Sequence, residues 1–221
     1  MKRALLYVLI ILFATLETEA KGRFKPEFWL GTSHGVTLSS VTLNPKVKQG
    51  MLKGYNGGIA MRYISEKNFG IQAELNYSMR GWEEAMEKTP QYAYARRMSY
   101  IELPFLTHMY FGNKTRGFIN AGPKIGYFLS EKETYNFDPT IALLSIKEQY
   151  GKKTEQKFDY GLCIGGGVEF GTGIGHFGLE GRYYLGLGDF FQTSSTTFFN
   201  AASMQTISIN LVYLVPLTKK K

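Results

Sequence analysis

Arg62, Glu74, Glu102, Lys124, Glu169, Glu180 and Arg182 are the residues of this 221-residue chain whose types and spacing invite a chemical reading. Each falls on the polar parity of a segment whose other parity is apolar, and Arg80 shares that position. Carboxylates set among cations serve acid–base catalysis when two of them with separated pKa values flank a reacting group. They serve structure instead when they line a narrow interior and neutralise one another. The charges here nearly balance, and a small barrel encloses just enough room for side chains, where one unpaired charge costs several kcal/mol. The spacing therefore predicts a polar network in a barrel lumen and assigns no catalytic, cofactor-binding or metal-ligating residue. With Glu66-Lys67-Asn68 as a turn, Arg62 falls opposite Gln72 and diagonal to Glu74, which predicts an Arg62–Glu74 salt bridge.

Other chemistries fare less well. Among the three histidines, His108 and His176 fall near one end of their strands and His34 lies mid-strand, a spacing that assembles neither a Ser-His-Asp arrangement nor a metal site. Gly165-Gly166-Gly167 and Gly171-Thr172-Gly173-Ile174-Gly175 imitate a nucleotide loop, but no helix pattern follows and no lysine completes a phosphate cradle. The single cysteine, Cys163, excludes an intramolecular disulfide and reads as a small packing residue in a Gly-rich strand. Asn113-Lys114-Thr115 matches a glycosylation triplet but lies in a short turn.

The elements that position these residues are strands. From Gly54 to Gly81, Tyr55, Ile59, Met61, Tyr63, Phe69, Ile71, Leu75 and Tyr77 share one parity, and Asn56, Arg62, Gln72, Glu74, Asn76, Ser78 and Arg80 share the other. Such a period of two, sustained over about a dozen residues, suits the ~9–11 residues of a tilted membrane strand better than the ~5–6 of a soluble sheet. The pattern recurs over residues 98–111, 117–129, 158–170, 177–187 and 203–215. Phe28 to Leu38 is the least regular candidate, with His34 on its apolar parity, so its facing stays open. Pro104 and Pro123 cannot donate to a ladder and predict a bulge or a gap in pairing. Tight turns alternate with longer loops over 39–53, 81–97, 130–157 and 189–202, and a short helix is expected near Thr140 to Glu148. The resulting fold class is all-β: a transmembrane, antiparallel, up-and-down β-barrel of about eight strands.

Composition agrees with that class. Only 44% of residues are hydrophobic, 15% are aromatic and 25 are glycine, which is poor material for membrane helices but normal for a barrel that alternates its hydrophobicity. Met1-Lys2-Arg3, the apolar run from Ala4 to Leu16 and the small residue Ala20 form an export signal too short to span as a helix. The expected organisation is a signal peptide over 1–20 and a barrel domain over 21–221. The net charge of +8 is scattered over loops and polar faces, which points to anionic lipid head groups and away from nucleic acid.

The segments GYNGGIAMRYIS, FGIQAELNYSMRG, YIELPFLTHMYF, FINAGPKIGYFLSEK, FDYGLCIGGGVEF and LEGRYYLGLGDF resemble the PorT-like outer-membrane barrels of the Bacteroidetes, a porin-like family. The resemblance covers nearly the whole mature chain and implies an exported eight-stranded barrel in the bacterial cell outer membrane, with one branch linked to secretion of proteins to the cell surface. Three functions follow as expectations. The first is a non-enzymatic barrel whose long loops contact outer-membrane lipid, lipopolysaccharide or an envelope protein partner, with no cofactor. The second is an accessory component of a type IX-like secretion apparatus. The third is an outer-membrane enzyme, which needs a cluster at the rim that the spacing does not supply.

Overall fold

Eight stretches of 15 to 21 residues become strands because alternation gives each a face for lipid and a face for an interior. The computed structural model describes residues 24–84, 92–136, 150–192 and 201–217. In chain order the strands are β1 (Glu27–Asn44), β2 (Gln49–Gly50), β3 (Leu52–Glu66), β4 (Phe69–Glu84), β5 (Tyr94–Gly112), β6 (Thr115–Tyr135), β7 (Phe158–Thr172), β8 (Gly175–Asp189) and β9 (Ala201–Pro216). All pairings are antiparallel, and the ring β1-β3-β4-β5-β6-β7-β8-β9 closes where β9 returns to β1 along 16 matched residues, from Trp29↔Pro216 to Asn44↔Ala201. The two-residue β2 stands outside the ring and adds to the end of β4. Closure leaves the ring of eight strands without a free edge strand, the condition for a sheet to sit in hydrocarbon.

The turns Lys67-Asn68, Asn113-Lys114 and Gly173-Ile174 lie at one end, with Asn68 in the left-handed region at φ 72° that asparagine tolerates. In outer-membrane barrels short turns are periplasmic and long loops extracellular. The export signal over 1–20 and the expected helix near Thr140 to Glu148 lie outside the described residues.

Burial sorts the two faces as alternation requires. Glu74 is 2% exposed and its neighbour Leu75 is 46% exposed. Between an inner girdle of Tyr63, Phe69, Phe111, Phe170 and Phe177 and an outer one of Tyr55, Tyr77, Tyr127, Tyr160 and Tyr183, the outward side chains are mostly aliphatic, with Phe105, Met61 and the threonines Thr32 and Thr107 among them. The first strand also resolves: Trp29, Ser33, Thr37 and Ser39 point inward, while His34 faces out and bonds the Tyr55 hydroxyl at 2.7 Å.

One feature differs from the sequence reading, and the expected gap at Pro104 is present. The strands overrun their expected ends at the extracellular side, so that 81–84, 94–97 and 130–135 are paired sheet rather than loop. There the outer face leaves lipid and its side chains turn polar, which erases the alternation used to find strands. At Pro104 the β5–β6 register stays constant, but the ladder skips from Pro104↔Lys124 to Thr107↔Ala121, and the β4 side skips from Ala73↔Phe105 to Asn76↔Glu102. The proline thus sits in a gap in pairing, and the register shift in that hairpin lies elsewhere, at Ser99/Tyr100.

Because Cys163 is buried, it leaves introduced thiols as the reactive ones among the described residues. Lys153→Cys is expected to label with a membrane-impermeant maleimide on intact cells, and Asn113→Cys only after the outer membrane is permeabilised. The reverse pattern would invert the orientation.

Candidate functional site

The lumen is built in layers. Its floor, at the short-turn end, is an apolar cluster of Trp29, Ala60, Ile64, Tyr110, Phe118, Val212 and Leu214, with Phe24 packed against it. Above it, Arg62 on β3 pairs with Glu169 on β7, whose second oxygen accepts from His176 Nδ1 at 2.8 Å, and the His176 ring lies 4.2 Å from that of Trp29. His108 meets Asn120 at 2.7 Å in the same layer.

In the middle layer Arg182 on β8 is clamped between two carboxylates. Its guanidinium donates to Glu74 at 2.8 and 2.9 Å and to Glu180 at 2.7 and 3.1 Å. The fork of the guanidinium suits this two-sided grip, and the remaining carboxylate oxygen capacity is met by Gln72, Asn76 and Asn120. The Gly-rich sequence of β7 makes the room: a Cβ on Gly165 would lie 2.8 Å from Glu180 Oε1 and 3.2 Å from Arg182 Cγ.

The third layer gathers Arg80, Asp159, Glu102, Lys124, Tyr100 and Tyr184. Arg80 contacts Asp159 at 2.5 Å and Glu102 at 3.3 Å and lies 3.9 Å above the Tyr100 ring. Lys124 Nζ bonds Glu102 at 2.9 Å and sits 3.6 Å from the centre of the Tyr184 ring, while the Tyr184 hydroxyl donates to Asp159 at 2.7 Å. A cavity of about 20 Å³, lined by Asn56, Asn76, Glu102, Lys124, Arg182 and Thr206 among others, remains between these layers. That is room for about one water.

A second apolar cluster closes the extracellular end: Val41, Leu43, Val47, Trp82, Tyr94, Met98, Tyr100, Phe190, Phe191, Ala202 and Met204. Arg96 is the hub of this ceiling. It pairs with Glu131 and, at 2.9 Å, with Glu133, donates to the Lys152 carbonyl, and lies over Trp82 at 5.5 Å and Phe191 at 5.2 Å. Thr154 and Gly151 donate to the same two glutamates, so residues 150–154 are tied across the mouth. Burial and the bond that the Tyr150 hydroxyl donates to Glu84 at 2.6 Å push that hydroxyl's pKa up, so it stays a donor at physiological pH.

The structure places Arg62, Glu74, Glu102, Lys124, Glu169, Glu180 and Arg182 inside the barrel, each no more than 7% exposed. The partners differ from those expected in one case. Arg62 does lie opposite Gln72 and donates to it at 2.8 Å, but its ion pair is with Glu169 across the lumen. Gln72 stands between Arg62 and Glu74, and Arg182 draws Glu74 away from the opposite wall. Among the described residues no group of His, Cys, Asp and Glu could hold a metal ion.

The family described as outer membrane protein beta-barrel domain matches residues 27–192. The chain belongs to that family. This outer membrane beta-barrel shares its fold with OprG from Pseudomonas aeruginosa at a TM-score of 0.55, with 10% identity over 91% of this chain and 100% of that one. Neisserial surface protein A aligns at a TM-score of 0.46 and 11% identity, covering 86% of this chain and 99% of its own. Ail of Yersinia pestis aligns at 0.44 and 14%, covering 85% and 99%. No curated protein matches the chain at a significant level. Its place is the outer membrane.

Sequence reading of this outer membrane beta-barrel missed Asp159 as a charged partner and treated Arg96, Glu131 and Glu133 as loop residues. A signal was present in the last case: Tyr94, Arg96, Met98 and Tyr100 continue the inward parity of β5 without a break.

Proposed function

We propose that the barrel is non-enzymatic and works through its extracellular surface, contacting envelope lipid or a protein partner there. The observation that carries this reading is the filled lumen. Between an apolar floor and an apolar ceiling the inward charged groups pair with one another, and the cavity between the charged layers holds only about 20 Å³, although Arg80 Nε and Nη1 and Glu102 Oε1 make no hydrogen bond among the described residues. Eight-stranded barrels have little room to spare, so a surface role follows more readily than transport. The purified protein in planar bilayers is expected to show no steady porin-like conductance. Large, stable, ion-selective openings would overturn the reading.

The segments that resemble PorT-like barrels of the Bacteroidetes support a narrower second reading, an accessory role in protein secretion to the surface. Loss of the protein would then leave secreted proteins trapped in the periplasm, an outcome the lipid-contact reading does not produce.

A further inference from the structure

Above the outer aromatic girdle, the register of β5 and β6 sets Arg97 directly opposite Lys132. Both side chains are exposed on the outer wall. Like charges facing one another across a ladder destabilise the sheet unless something neutralises them. Among the described residues neither cation has an ion-pair partner. The acidic neighbour, Glu83 on β4, lies opposite Ala95, diagonal to Arg97, and its carboxylate turns toward Gly50 on β2. The β4 residue directly beside Arg97 is Gly81, which carries no side chain and leaves the approach to the guanidinium open.

The cause of this arrangement is the irregularity between Ser99 and Tyr100. Ser99 pairs with Ser130 and Tyr100 with Phe128, so Leu129 is the extra residue on β6. Leu129 and Ser130 are both exposed, and beyond them the parity inverts. Without the bulge Lys132 would enter the lumen and Glu131 and Glu133 would stand outside, beside Arg97. With it, both carboxylates turn in to Arg96 and the cations are left together outside.

The order of groups down this wall is that of a lipid. The Arg97–Lys132 rung is followed by the hydroxyl rung Ser99–Ser130, with the Tyr77 hydroxyl 2.9 Å from Ser99 Oγ, and then by Leu129, Ile101, Tyr127, Leu103 and Ile125. We infer that Arg97 and Lys132, with the serine rung below them, bind a phosphate of outer-leaflet lipopolysaccharide whose acyl chains lie along the apolar wall beneath. A guanidinium fork, a point-charged ammonium and hydroxyl donors are the groups that hold a phosphate at a membrane surface. The inference rests on the proposed lipid contact at the extracellular end and names the ligand group and its site.

The test uses the full-length folded protein in phosphatidylcholine nanodiscs, titrated with lipopolysaccharide, enzymatically dephosphorylated lipopolysaccharide or phosphatidylglycerol, and reads the thermal unfolding midpoint and the apparent affinity. Wild type is expected to gain stability from intact lipopolysaccharide, with a gain that shrinks as salt is raised. Arg97→Gln/Lys132→Gln is expected to weaken that binding by about tenfold or more, the loss of two charge-assisted contacts. Lys132→Glu supplies an internal counter-charge, so it is expected to abolish the response and, in phosphatidylcholine alone, to unfold at the same or a higher temperature than wild type. A wild-type response in both variants would overturn this site while leaving lipid contact elsewhere on the barrel standing. Equal stabilisation by dephosphorylated lipopolysaccharide or by phosphatidylglycerol would overturn the ligand assignment. No response of the wild type to any of the three would sink the site and the proposed lipid contact together.

Discussion

Arg182→Met is expected to lower the unfolding free energy by about 3–5 kcal/mol, the cost of leaving a buried charge without its partner. The side chain is held by Glu74 from β4 and Glu180 on its own strand, and both carboxylates are at most 2% exposed. Methionine fills much of the same volume but returns none of the four hydrogen bonds. Two carboxylates would then face each other in a layer that has room for about one water. Urea unfolding from phospholipid vesicles, followed by tryptophan fluorescence and by gel mobility of the folded form, measures the loss. Adding Glu74→Gln and Glu180→Gln to Arg182→Met removes the stranded charges and should recover most of the stability, so the three changes are strongly non-additive. A single-variant loss below about 1 kcal/mol would mean that the lumen solvates charge as the surface does.

That prediction depends on a cross-lumen partnership which the chain does not spell out locally. Lipid on one side and a packed interior on the other write a period of two into each strand, so the inward placement of Arg62, Glu74 and Arg182 can be read from sequence alone. Which of them meet is decided by tilt and stagger, quantities of the closed ring rather than of any strand. Hence Arg62 reads as a partner of Glu74, two positions from Gln72, while in the barrel it reaches Glu169 on the far wall. Asp159 was legible as inward but not as the counter-ion of Arg80, because its strand shares no ladder with β4.

The extracellular end was hidden for another reason. Once a strand leaves the bilayer, its outer residues no longer need to be apolar, and Arg97, Lys132 and Thr134 make the sequence resemble a loop although the sheet continues. The extra residue Leu129 also exchanges the faces, so that Glu131 and Glu133 arrive beside Arg96 on a parity that an unbroken strand would send outward. A pattern read with a fixed period cannot cross that point.

Leu75→Arg provides the complementary experiment, since Leu75 follows Glu74 directly and obeys the opposite rule. It is 46% exposed, pairs with Ile59 across β3, and stands between Phe69 of the inner girdle and Tyr77 of the outer one, within the lipid-facing band. A guanidinium there must dehydrate in hydrocarbon or drag water and head groups toward it, at a cost of about 2–4 kcal/mol near the midplane that falls to about 0–1 near the interfaces. Thr42→Arg, on the outer face near the extracellular end of β1, is the matched control and should lose no more than the interfacial amount. In a soluble detergent micelle, where water reaches the wall more easily, the difference between the two variants should shrink, which separates a lipid cost from a packing cost. If Leu75→Arg and Thr42→Arg unfold alike in bilayers, the outward face of β4 does not lie in hydrocarbon. The filled interior would then belong to a barrel standing largely clear of the membrane core, because a wall that tolerates arginine at Leu75 cannot be the surface that acyl chains cover.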